Sequence, residues 1–135
     1  MRTLSLFGLL LLCACGPRVQ ADAAGDAVTL RVEPTTARSG STVQLVLSNG
    51  SAGPVGYTLC SSGLERRAAD LWQPVPSDRV CTMELRLLPA GEQVSYPIDL
   101  PPGVAAGEYR FVTNLQYQAT GTSGVVRSEA FAVAG

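Results

Sequence analysis

Four stretches of the chain set apolar against mostly polar side chains at every second position. Val28, Leu30 and Val32 are separated by Thr29 and Arg31, and Val43, Leu45 and Leu47 keep the same spacing. So do Val94, Tyr96, Ile98 and Leu100, and then Tyr109, Phe111, Thr113, Leu115 and Tyr117. A period of two puts each set on one face of an extended strand and leaves the other face to water. The gaps are filled by turn residues: Glu33-Pro34-Thr35-Thr36, Arg38-Ser39-Gly40, Asn49-Gly50-Ser51, Gly53-Pro54, Pro89-Ala90-Gly91 and Pro101-Pro102-Gly103. No segment repeats apolar residues at helical spacing over about ten positions without such a breaker, so helix is expected to be nearly absent. Short strands with turn signals about every eight to twelve residues predict an all-β sandwich of about seven to nine antiparallel strands.

Two places depart from the alternation. In PVGYTLC, Val55, Tyr57 and Leu59 share a face, which sends Cys60 to the other. Cys81 shares its parity with Met83, Leu85 and Leu87. A bond between the two cysteines therefore requires Cys60 at a strand end or a bulge. In VVRSEAFAV, Phe131 and Val133 share parity with Arg127 and Glu129, so the last strand is expected to bulge or change sheet midway.

The first residues belong to a different kind of segment. Arg2 precedes an apolar run from Leu4 to Leu12, which then breaks into small residues. That run is shorter than the roughly 20 residues a membrane-crossing helix needs, and it has the layout of a secretory signal. Leu12-Cys13-Ala14-Cys15 resembles the lipobox of bacterial lipoproteins. The resemblance implies a signal peptide over 1–14 and lipid attachment at Cys15 as the mature N-terminus. Cys13 does not suit that role, because bulky Leu12 would occupy the small position before it. Ordinary cleavage after Val19-Gln20-Ala21, releasing a secreted or periplasmic protein, is the alternative. Gly16 follows Cys15 where an aspartate would favour the inner membrane, so an outer-membrane address is expected if the host is diderm. Residues 15–26 are small and polar without a period and read as a tether, and the domain is expected over 27–135.

From Cys15 onward, nine arginines face eleven acids, with no lysine or histidine. A nucleic-acid partner is not expected, because the basic patch it needs is missing. Cys60 and Cys81 are the two cysteines left for the domain, and in an exported chain they read as a disulfide. A metal site is the alternative; it would need four ligands, yet histidine is absent and no CxxC occurs. No cofactor is expected.

Motifs spread over most of 27–135 resemble the bacterial immunoglobulin-like domains of exported proteins, a fold also seen in an intracellular proteinase inhibitor of bacilli. VTLRVEPTTARSGSTVQLVLSNGS is similar to that family's first two strands, and LERRAADLWQPVP to its hairpin. LPAGEQVSYPIDL is similar to its Leu-x-Pro-Gly-Glu turn and following strand, with Ala90 intervening between proline and glycine. GEYRFV is similar to its late Gly-x-Tyr-Arg strand. The resemblance implies the fold and, through the related inhibitor, proteinase inhibition by exposed loops as one candidate role. Tyr109, at the start of a late strand, is placed to bond its hydroxyl to backbone across a corner. Phe111 stands where antibody domains carry their second cysteine.

The stretch CSSGLERRAADLWQPVPSDRVC is thus read as a surface excursion tied at both ends by Cys60 and Cys81. Glu65 and Asp70 lie in it beside Arg66 and Arg67, and arginine neighbours would keep both carboxylates ionised. No histidine and no lysine exist for a Ser-His-Asp or Ser-Lys arrangement, so no enzyme activity is expected. Trp72 is either a partner contact, with Arg66 and Arg67 beside it, or a ring packed on the sandwich flank near the disulfide. Asn49-Gly50-Ser51 matches a glycosylation acceptor but reads more simply as a turn. The expected role is a lipid-anchored binding module of the cell envelope, its partner an unknown envelope protein or a protease; a structural accessory subunit of an envelope complex is the further alternative.

Overall fold

The computed structural model describes residues 27–135. Cys15, the expected site of lipid attachment, and the segments expected to be signal peptide and tether lie outside the described residues. Eleven strand segments and one short 3-10 turn make up the domain, with no α-helix among the described residues. In chain order they are β1 (Val28–Glu33), β2 (Thr36–Arg38), β3 (Thr42–Asn49), β4 (Val55–Tyr57), the turn Leu59–Ser61, β5 (Gly63–Ala68), β6 (Leu71–Val75), β7 (Arg86–Leu88), β8 (Gln93–Asp99), β9 (Gly107–Tyr117), β10 (Thr122–Arg127) and β11 (Phe131–Ala134).

One sheet has three strands in the order β1-β3-β8. The other is built on β9, with β10 and β11 along one side and β4 and β5 along the other. β7 and β6 continue outward from β4 and β5, and β2 pairs with β11 at the opposite edge. Joining these collinear halves leaves eight strands, within the expected seven to nine. One pairing departs from the antiparallel expectation, since β2 runs parallel to β11. The first strand changes sheet at the cis Glu33–Pro34 peptide, β1 pairing with β3 and β2 with β11. This is the connectivity of an immunoglobulin-like sandwich, with the alternating residues of both sheets meeting inside.

The core follows the period-two pattern. Val28, Leu30 and Val32 from β1, Val43, Leu45 and Leu47 from β3, and Ile98 and Leu100 from the β8 region are buried against Tyr109, Phe111 and Leu115 of β9. Phe111, fully buried, stacks on Phe131 with ring centroids 5.7 Å apart and planes 3° from parallel. Phe111, at the β9 position where antibody domains carry a cysteine, thus packs against β11 of its own sheet and makes no covalent link to the other. The Tyr109 hydroxyl donates to the Ala105 carbonyl at 2.5 Å, the corner contact expected of it.

Both irregularities resolve into insertions opposite β9. Between Arg127↔Val112 and Phe131↔Tyr109, four steps along one strand answer three along the other, so one extra residue is accommodated. That bulge puts Val126 and Phe131 on the same inner face although their numbers differ in parity. Ser128 sits at the bulge: its N–H donates to Phe111 O at 2.9 Å, and its hydroxyl accepts from Phe111 N at 2.9 Å. Between Tyr57↔Leu115 and Gly63↔Val112, six steps answer three. The surplus forms the 3-10 turn that carries Cys60 out of the sheet, at the strand end that a disulfide requires.

Met83, Leu85 and Leu87, which share parity with Cys81, form no buried face: only Arg86–Leu88 is strand, Leu88 is its buried member, and Met83 is 90% exposed. Residues 76–85 cross the end of the sheet in extended but unpaired form, so alternation there has no partner strand to give it a face.

Candidate functional site

Cys60 and Cys81 form a disulfide with Cα atoms 5.8 Å apart, closing a sequence separation of 21. Inside the closed loop lie a hairpin, β5–β6, and the first part of the unpaired segment, 76–80; its remainder follows Cys81. The hairpin turns at Ala69-Asp70, with Ala68 opposite Leu71 and Ala69 at a φ of 55°. It matches the charged hairpin expected from the family resemblance.

Because Leu64 pairs with Phe111 on the core side, Glu65 and Arg110 face outward together. Arg110 Nε donates to Glu65 Oε1 at 2.7 Å, both side chains only 21% exposed. Trp72, on the next strand out, lies over the Arg110 guanidinium at 4.4 Å from the ring centroid, with Arg67 at 6.0 Å. Arg67 pairs with Glu108 at 3.1 Å, but both are half-exposed, so that pair contributes little to stability. The acid that matters is therefore held by an arginine of β9 and not by Arg66 or Arg67, as the sequence implied. Asp70 stands apart in the turn.

Of the three candidate contact residues, the structure brings two together. Trp72 and Arg67 are cross-strand neighbours on the outer face. Arg66 alternates to the other side, opposite Tyr109, with its guanidinium beside Gly107. Trp72 is half-buried through its stack on Arg110, the contact that fixes the ring in place. Trp72→Ala is expected to lower stability by about 1 kcal/mol in denaturant unfolding, and by clearly less when Arg110 is already alanine. A Trp72 that served a partner alone would leave the unfolding curve in place.

Sequence reasoning missed where the exposed apolar surface lies. Six large apolar residues are exposed among the described residues, and five of them, Leu71, Val80, Met83, Leu85 and Leu87, fall between 71 and 87. Val80 is 94% exposed. Leu85 lies across the sheet because Gly56 leaves room for it: a Cβ on Gly56 would stand 3.0 Å from Leu85 Cδ1. Met83 and Leu85 border a shallow hollow of about 470 Å³ whose far side is Val125, the sixth residue of the set. Gly124 lines it too, under the Tyr117 ring, which approaches to 2.6 Å of the place a Cβ would take. No local signal gives this surface away, because Met83, Leu85 and Leu87 lie beyond Cys81, outside the closed loop, and keep a strand-like alternation.

Asn49 was also missed. It is 1% exposed at the end of β3, and its Nδ2 donates to Gly53 O and to Leu88 O, each at 2.9 Å. Its Oδ1 accepts from Ser51 N at 3.0 Å and from the Ser51 hydroxyl. The amide of the apparent glycosylation acceptor is thus committed inside the fold.

No protein-family model matches the chain, and no curated protein matches it in sequence.

Proposed function

We propose that this chain is an extracytoplasmic binding module, held to a membrane through a lipid on Cys15 and without catalytic activity of its own. The observation that carries the reading is the concentration of exposed apolar side chains around the disulfide: five of the six exposed among the described residues fall within 71–87, Leu71 and Val80 inside the closed loop and Met83, Leu85 and Leu87 just beyond Cys81. Such side chains cost solubility where they stand, and contiguous apolar surface on a small domain is a mark of an interaction site. The disulfide and Arg79 hold the segment that displays them, so a partner would meet a pre-formed surface and little ordering cost would fall on binding. A disulfide is also a bond that persists in oxidising compartments, in keeping with an exported chain. No helix among the described residues is long and apolar enough to cross a membrane, so the lipid is the anchor this reading relies on.

The test is site-specific photocrosslinking in cells. A photoreactive residue at Met83 or Leu85 is expected to give a discrete protein adduct, while the same residue at Thr29, on the three-stranded sheet, gives none. Cys15→Ser is expected to block processing and leave an unmodified precursor of higher mass. Equal labelling from both faces would remove the reading.

A further inference from the structure

β8 is the outer strand of the narrower sheet, and its free edge is not covered by any strand among the described residues. The direction of its backbone groups can be read from its ends. Glu92 O accepts from Asn49 N at 2.8 Å, and Leu100 N donates to Ser41 O at 2.9 Å, so both residues turn toward β3. Backbone groups alternate sides along an antiparallel strand. Val94, Tyr96 and Ile98 therefore bond to β3, whereas Gln93, Ser95, Pro97 and Asp99 point their backbone outward. Two further observations agree. Pro97, which has no N–H to give, occupies an outward position, where a proline costs no ladder bond. Asp99 O is reached from outside the sheet by Arg79 Nη2 at 3.5 Å. What remains open is a short run: the N–H and C=O of Gln93 and Ser95, and the C=O of Pro97.

This edge borders two adjoining hollows of about 350 and 390 Å³. Their near wall is β8 and their far wall is the tied segment around Val80, which shares both hollows with Cys60 and Tyr96. Tyr57, Val94 and Tyr96 give the first hollow an apolar and aromatic lining. Residues 80–84 make no backbone–backbone hydrogen bond among the described residues; of their backbone, Glu84 O is taken by the Thr58 hydroxyl at 2.8 Å. The opposite flank of the sandwich differs, because there β1 and β10 approach one another and close it.

We infer that the β8 edge accepts one extended peptide segment of a partner protein, added antiparallel to Gln93–Pro97 as a fourth strand of that sheet. This deepens the interaction reading and rests on it. The partner's chemistry follows from the site. Its backbone answers the open donors and acceptors, and alternate apolar side chains enter the hollow over Tyr57 and Tyr96. A peptide is preferred to a second copy of this chain because the wall at Val80–Glu84 stands beside the edge, where the face of another domain would meet the wall before its own strand reached β8.

The experiment uses the soluble oxidised domain and a displayed library of random heptapeptides, followed by amide exchange and chemical-shift mapping by NMR with the best binder. In the free protein the amides of Gln93 and Ser95 are expected to exchange fast and those of Val94, Tyr96 and Ile98 slowly. Bound peptide is expected to protect Gln93 and Ser95. N-methylation of alternate peptide amides, and separately Ser95→Pro, are each expected to weaken binding by about tenfold or more. Ser95→Pro keeps the ladder to β3, as Pro97 already does, and unchanged slow exchange at Val94 and Tyr96 verifies that the fold is intact. The inference is overturned if Ser95→Pro binds as well as the parent, if no heptapeptide protects Gln93 and Ser95, or if those amides become protected by self-association alone. Binding mapped to Met83, Leu85 and Val125 instead overturns the edge site and leaves the interaction reading standing.

Discussion

Reduction of the Cys60–Cys81 bond is expected to lower the stability of the domain by about 3 kcal/mol and its melting temperature by on the order of 10 °C. The bond closes a separation of 21 residues, and opening it returns that loop's entropy to the unfolded chain. The native side of the balance also shifts, because the segment from Ser77 to Leu85 has few other ties. Arg79 is the main one: its guanidinium donates to Cys60 O at 3.0 Å, to Ser62 O at 3.3 Å and to Asp99 O. Thr58 adds a hydroxyl bond to Glu84 O at 2.8 Å. Reduction should therefore speed amide exchange in residues 77–85 well before it does so in β3 or β9. Arg79→Ala and reduction should also be non-additive, since each removes a restraint on the same segment. Thermal melts with and without reductant, on the parent and on Cys60→Ala/Cys81→Ala, decide the matter; superimposable melts would strip the bond of its energetic role.

Local loss of order on reduction would also bear on function. The exposed side chains Val80, Met83 and Leu85 lie on the segment the bond restrains, and the same segment forms the far wall of the hollows beside β8. A partner that meets this surface pre-formed is spared the cost of ordering it, so binding and the bond are coupled through one stretch of chain.

How much of this was legible in the sequence depends on what each signal measures. Period-two alternation reports which face of a strand is buried, and it picked out the inner faces of β1, β3, β8 and β9, although Val46 on the other face of β3 is buried too and Val94, Tyr96 and Tyr117 are only partly buried. It could not follow the approach to β7, because Met83 and Leu85 have no partner strand to give one side an inside, and within β7, paired with β4, it is Leu88 and not Leu87 that is buried. The β10–β11 break was visible as a parity conflict between Val126 and Phe131; a single added residue resolves it, and Ser128 supplies the bonds there. The location of Cys60 at a strand end was readable by the same logic. The stack of Trp72 on Arg110 was not readable, because it joins residues 38 positions apart across β6, β5 and β9, whose order no local pattern encodes. Nor was the free edge of β8, which is a property of what does not pair beside it.

Asn49→Ala is expected to cost about 3 kcal/mol, as much as the disulfide, although it removes one polar side chain at a turn. Asn49 ends β3 in one sheet, and Leu88, whose carbonyl it satisfies, lies on β7 in the other. Both residues are buried, at 1% and 3% exposure, so neither group can turn to water when its partner is deleted. The amide therefore clamps the two sheets together at this end, while its other bonds shape the Gly50–Gly53 turn. The backbone of Asn49 adds a second restraint, its carbonyl accepting from Gly91 N at 2.6 Å, where Gly91 takes a φ of 79° that suits glycine. Asn49→Asp isolates the amide donor. It keeps the size and the acceptor toward Ser51, but it presents a carboxylate to two carbonyls and should be at least as costly near neutral pH. Ser51→Ala, which removes only the hydroxyl, is expected to cost well under half as much. If chemical denaturation places Asn49→Ala within about 0.5 kcal/mol of the parent, the range of ordinary surface changes, then Leu88 O has found another donor and the clamp is not what joins the sheets there.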